Sequence, residues 1–274
     1  YESINFEGVI NKISNDMILA PNCMCLLNSI INHCKDVGIK GLPRGLAISP
    51  TLTELYLEPI DQYIRKYDGV IYYTRYIDDL FILVDKAKYS GLKISLDKKL
   101  KDIGLELNQS PEKQYIGSSK SAEFDYLGYR ISINLVNKGK KANKVNLAIS
   151  NNKMDKIKQK IAISLNEHKK NPDFNLLKQR INYLTVLKVI KKSANGVLLG
   201  GLAYNYQYVS DQFTCLSSVD DFFKKIINDP RFSLSNIEKS NLAKISFYGA
   251  VNKKKQGKFT RSKATNISRV WKNA

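Results

Sequence analysis

Two runs of β-branched and aromatic residues, Val70 to Tyr76 and Leu80 to Val84, flank the triplet Ile77-Asp78-Asp79. Their alternation predicts strands at 70–76 and 80–84 joined by a tight turn. This feature constrains the fold most. Two adjacent carboxylates at the tip of a packed hairpin repel each other and lose hydration. A hard divalent cation, which takes oxygen ligands, is the counter-charge that suits them. A solvated Asp-Asp turn is the alternative, since turns favour aspartate.

The 274 residues are enough for two or more compact units, and a hydrophobic content of 43% is that of a globular protein. No apolar run has the length of a membrane span, and no signal-peptide pattern is present. Four cysteines without a CxxC pair, and only His33 and His168 beside them, argue against zinc and for buried free thiols. The net charge of +19 is uneven. Residues 1–136 carry 16 Lys/Arg against 17 Asp/Glu, residues 137–192 carry 15 against 3, and residues 193–274 carry 13 against 5. A neutral front and a basic back suggest a catalytic unit followed by a polyanion-binding one. A basic surface kept for solubility is the other explanation.

Periodicity predicts helices over 6–18 and 21–37, then a loop from Gly41 to Pro50. Ser49 is expected to cap the next helix and Pro50 to occupy its first turn, with Pro59 bending or interrupting it. Further helices are expected over 89–103, 152–168, 174–192 and 219–228, and a second hairpin over 123–135 turning near Leu127-Gly128. Residues 137–146 read as an exposed connector. Strand alternation over 196–209 would put Tyr204, Tyr206 and Tyr208 on one face, either packed or free to stack on bases. The front of the chain is therefore an α+β unit with an antiparallel sheet, and the back is mainly helical.

Several motifs together resemble the reverse transcriptases. Tyr76-Ile77-Asp78-Asp79 matches the family's Tyr-x-Asp-Asp turn, and Leu42-Pro43-Arg44-Gly45-Leu46-Ala47-Ile48-Ser49 its Leu-Pro-x-Gly-x-x-x-Ser loop. Gly104-Leu105-Glu106-Leu107-Asn108 with Lys113 is similar to its lysine-bearing loop, and Phe124 to Tyr129 to its primer grip. Tyr1 to Ile4 matches the end of the pattern around the family's first catalytic aspartate, so an aspartate is expected five residues upstream of Tyr1, preceded by fingers. Arg44, where most retroviral and group II intron enzymes have Gln, brings the loop closer to bacterial defence-associated and abortive-infection members. Ser246 to Gly249 and Val270-Trp271 are weaker signs of that class.

The resemblance implies a palm over 1–136 with an antiparallel sheet and flanking helices, a basic helical thumb over 137–195 and a basic C-terminal extension over 196–274. It implies RNA-directed DNA synthesis from dNTPs with two Mg²⁺ ions held by Asp78 and Asp79, in a bacterial cytoplasm and in anti-phage defence, away from membranes. Tyr1, Arg44, Gly45 and Lys113 would meet the incoming nucleotide, although Arg44 could equally pair with an acid and Lys113 could be merely solvated. Leu127, Gly128 and Tyr129 would steer the primer. Lys156, Lys160, Lys178, Lys188 and Lys191, on the outer faces of two helices, would follow nucleic-acid phosphates. The partners implied are an RNA template and a DNA product, with a non-coding RNA, a protein partner or a homo-oligomer left open. The alternatives are a degenerate polymerase fold that only binds nucleic acid, and a group II intron or retron enzyme.

Overall fold

A computed structural model of the chain describes residues 3–17, 19–111, 113–134, 144–193 and 196–272. It divides into two compact units, Tyr1–Ile116 and Gly117–Ala274.

In the first unit, α1 (Phe6–Asn15) begins where the Asn5 side chain accepts the Glu7 amide, and it buries Phe6, Val9 and Ile13. Helix α2 (Pro21–Asp36) buries Leu27, Ile31 and Cys34. These side chains share a core with Leu42, Leu52 and Tyr56. Helix α3 (Ser49–Lys66) is continuous through Pro59, so the proline does not interrupt it. Its buried residues, among them Leu52, Tyr56, Ile60 and Ile64, line one face, so packing holds the helix where the missing amide would weaken it. Ser49 does not cap it; its hydroxyl donates instead to the Pro43 carbonyl at 2.7 Å and closes the preceding loop.

Strands β1 (Val70–Tyr76) and β2 (Asp79–Val84) form a two-stranded antiparallel sheet in which Tyr76 pairs with Asp79. Asp79 therefore opens the second strand, and the turn proper is Ile77-Asp78. Helix α4 (Lys86–Asp102) packs Leu96 and Leu100 against Ile60 and Ile64 of α3, with Tyr73 and Ile82 of the hairpin beside them.

In the second unit, β3 (Ala122–Tyr126), β4 (Tyr129–Asn134) and β5 (Lys144–Ile149) make an antiparallel sheet in that order. Strand β5 takes residues 144–146 from the expected connector; the rest of that segment, 137–143, lies outside the described residues. Helices α5 (Asn151–Lys170) and α6 (Phe174–Thr185) follow, and both pack against the core formed with α8 (Ser217–Ile227).

The second basic helix ends at Thr185, not at residue 192. Residues Leu187–Ser193 are β6, the central strand of a three-stranded sheet with β7 (Gly196–Gly200) and the short parallel β8 (Gln256–Gly257). Val186, Val189 and Ile190 are β-branched, and pairing on both sides draws them out of the helix. Tyr204 lies in α7 (Leu202–Asn205) and Tyr206 and Tyr208 follow it, so the three tyrosines do not share a strand face. The back of the chain is thus mainly helical, as expected, with short strands among its helices.

Helices α9 (Asn236–Ala243), α10 (Phe247–Asn252) and α11 (Arg261–Arg269) complete the unit. After α11 the Trp271 indole donates to the Ser164 hydroxyl and the Lys160 carbonyl of α5, both at 3.1 Å. All four cysteines are free, but only Cys34 is buried. No helix among the described residues is long and apolar enough to cross a membrane.

Candidate active site

The β1–β2 hairpin presents Asp78 and Asp79 at its tip, both exposed. Ile77 sits at φ +59°, in the left-handed region, and Asp78 does not. A two-residue hairpin loop with positive φ at its first position matches the right-handed twist of the strands, but glycine normally fills that position. The β-branched Ile77 is an outlier there. Burial and the neighbouring Asp78 charge raise the affinity of the Asp79 carboxylate for protons, and Lys113 opposes this. Asp79 therefore senses both Asp78 and Lys113 electrostatically. Lys113 is exposed.

Sequence reading missed the group beneath the turn. Arg75 is 5% exposed at its side chain and grips two carboxylates of α3. Its Nη1 and Nη2 donate to Glu54 at 3.0 and 2.8 Å, and its Nε and Nη2 to Asp61 at 2.8 and 2.6 Å. Nη1 also donates to the Ile77 carbonyl at 2.7 Å, while the Tyr73 hydroxyl donates to Asp61 at 2.5 Å. Burial pushes the Asp61 carboxyl up, but Arg75 and Tyr73 outweigh it and its net shift is down. Burial and the Asp61 charge hold the Tyr73 phenol protonated. The Arg75 guanidinium stays charged, chiefly through its bonds to Asp61. The only signal in the sequence is the two-turn spacing of Glu54 and Asp61 along one helix face.

In the Gly41–Pro50 loop, Leu42 is buried and Arg44 and Gly45 are exposed. Gly45 has φ +89°, a conformation that favours glycine, and open space where a Cβ would stand. Gly45 also lines an apolar depression of about 490 Å³ with Ile30, Cys34 and Leu46, apart from the aspartates. Tyr1 lies outside the described residues.

In the second unit, Leu127 and Gly128 form the β3–β4 loop with φ +50° and +84°. Positive φ at both positions is the two-residue hairpin loop that matches strand twist best. A Cβ at Gly128 would meet the Tyr206 hydroxyl at 2.9 Å and Lys153 Cε at 3.0 Å. The Tyr129 hydroxyl donates to the Asn205 carbonyl at 3.0 Å, and its ring meets that of Tyr206 edge-on. Leu127 is exposed, so the tip is held from behind and open in front.

The five lysines separate. Lys156 and Lys178 are exposed on α5 and α6, and Lys160 is half-buried with its Nζ 5.6 Å from the Trp271 ring centroid. Lys188 lies on β6, not on a helix, with its Nζ 3.7 Å from the Tyr183 ring centroid. Lys191 is also on β6, and its side chain lies outside the described residues.

Among the described residues, no three His, Cys, Asp or Glu side chains gather to hold a metal ion. The donor set that fits one is the Asp78-Asp79 pair, whose all-oxygen chemistry suits a hard divalent ion over zinc. Comparison with curated proteins and with solved structures yields no match. Residues 1–131, from the start of the chain into β4, match the family model described as reverse transcriptase (RNA-dependent DNA polymerase). The stretch that carries the aspartate-tipped hairpin is thus similar to a reverse transcriptase domain, a likeness that indicates an RNA-directed DNA polymerase.

Proposed function

We propose that the chain copies an RNA template into DNA from dNTPs, with Asp78 and Asp79 as the carboxylates that hold two Mg²⁺ ions. The observation that carries this reading is the pair of exposed carboxylates at the tip of one hairpin, with Asp79 pushed toward protonation by burial and by Asp78. Bound there, magnesium supplies charge neutralisation at the attacking 3′-hydroxyl and at the departing pyrophosphate. The two carboxylates bind and orient; Lys113, whose charge already reaches Asp79, faces the leaving phosphates. Arg44 and Gly45 meet the template–nucleotide pair, where the glycine leaves room for close backbone approach.

Leu127, Gly128 and Tyr129 steer the primer end, the loop being held by Tyr206 and Asn205. Lys156, Lys160 and Lys178 follow phosphates without reading sequence. Lys188, placed against Tyr183, leaves that set. Asp78→Asn or Asp79→Asn should lower single-nucleotide incorporation on a primed RNA template by about 10²–10³-fold, with the circular dichroism spectrum and melting temperature unchanged. Incorporation at the wild-type rate by Asp78→Asn rejects the assignment.

Arg44 in the Leu-Pro-x-Gly loop favours a bacterial defence role over an intron-borne one. Phage plating on cells carrying wild-type protein or Asp78→Asn tests this, and equal plating on both rejects it.

A further inference from the structure

We propose that Arg75 is a positioning residue that sets the direction of Asp78, through the peptide carbonyl of Ile77. The inference rests on the reading of Asp78 and Asp79 as metal-binding carboxylates. The geometry has three parts. The first is the Ile77 conformation: a β-branched residue at φ +59° keeps that backbone only where its surroundings over-determine it. The second is the bond that does so, from Arg75 Nη1 to the Ile77 carbonyl at 2.7 Å. That carbonyl belongs to the peptide carrying the Asp78 nitrogen. Fixing it fixes the plane from which the Asp78 Cα departs. The third is the anchoring of the guanidinium itself.

Two carboxylates of α3, Glu54 and Asp61, engage both edges of the planar fork, and Asp61 is in turn held by Tyr73. The helix, through Arg75, thus dictates the orientation of the turn. The Arg75 bonds run to Glu54, Asp61 and the Ile77 carbonyl, so the arginine acts on the turn through its backbone. A lysine keeps the charge but cannot engage Glu54, Asp61 and the carbonyl together.

The test uses the whole chain and free Mn²⁺ as probe, with binding read by the electron paramagnetic resonance of the unbound ion. Melting temperature and nucleotide incorporation are measured in parallel. Groups that orient metal ligands are worth about 10- to 100-fold in affinity, so Arg75→Lys should weaken Mn²⁺ binding about tenfold. Ile77→Gly removes the cost of the left-handed conformation. In the Arg75→Lys background it should restore Mn²⁺ affinity to within about threefold of wild type, while the melting temperature stays at or below that of Arg75→Lys. A purely structural anchor predicts the reverse: affinity that falls with stability and is not recovered by glycine. That outcome, or wild-type Mn²⁺ affinity in Arg75→Lys, overturns the inference.

If Arg75→Lys does not fold, Glu54→Gln loosens one edge of the fork and is read in the same way, with unchanged affinity counting against the proposal. Asp78→Asn separates the two levels. If it binds Mn²⁺ and polymerises like wild type, the metal reading itself fails. If it loses both while Arg75→Lys keeps both, only the role of Arg75 fails.

Discussion

Replacing Lys188 by Met should stabilise the protein at neutral pH. Lys188 is on the central strand of its sheet, pairing with Gly200 on one side and Gly257 on the other. Burial first, and then the positive charge of Lys160, lower its affinity for a proton and bring its pKa down to about 8. The ordinary lysine value is near 10.5. A depressed lysine is charged more readily in the unfolded chain, which therefore binds more protons between pH 8 and 10.5. Stability must rise with pH across that window, and below pH 8 the full penalty applies.

At 1.36 kcal/mol per pH unit that penalty is on the order of 3 kcal/mol. The face of Tyr183 under the ammonium favours the charged form and returns about 0.5–2 kcal/mol, so about 3 kcal/mol is an upper figure. Urea denaturation of wild type and Lys188→Met at pH 7 and pH 9.5 cancels the titration of every other group. The advantage of the Met protein should shrink by up to about 2 kcal/mol between the two pH values. An advantage independent of pH, or a Met protein less stable than wild type at pH 7, refutes the reasoning.

Converting Lys156, Lys160 and Lys178 together to Gln should weaken binding equally for unrelated sequences and flatten the salt dependence of log K by about 0.9 per lost phosphate contact on a B-form duplex; a salt titration checks this, and an unchanged slope removes these lysines from the interface. Gly128→Ala places a Cβ against Tyr206 and Lys153 at φ +84° and should lower stability by about 1 kcal/mol or more, which thermal denaturation reads directly. Asp220 accepts the Ser246 hydroxyl at 2.7 Å and the Phe247 and Tyr248 amides at the start of α10. Asp220→Ala should therefore cost about 1–3 kcal/mol, seen as a lower urea midpoint.

How much of this was legible beforehand depends on distance along the chain. The aspartate hairpin could be read because strand alternation and turn chemistry are local, and its register differs from expectation only in placing Asp79 on the strand. The Leu127-Gly128 turn was legible for the same reason. Arg75 was not, because its meaning lies in Glu54 and Asp61, 21 and 14 residues away. On the helix those two acids look like ordinary solvated positions. Strand β5 was hidden by the lysines and asparagines around it, although Val145, Leu147 and Ile149 alternate.

The largest misreading concerns the helix expected over 174–192, and it changes the picture of the basic half. Leu177, Ile181, Leu184 and Leu187 keep helical spacing, so periodicity alone carries the helix past its true end. Pairing with Gly196–Gly200 and Gln256–Gly257 decides otherwise. A lysine on an amphipathic helix opposite the apolar seam faces water, whereas one on a central strand faces whatever covers the sheet. Lys188 meets Tyr183, whose ring in turn packs on Phe259 and Trp271. The formal charge of residues 137–192 therefore overstates the cations free to meet phosphate, and on the proposed reading the exposed face of α5 and α6 is the described surface that would follow a nucleic-acid backbone.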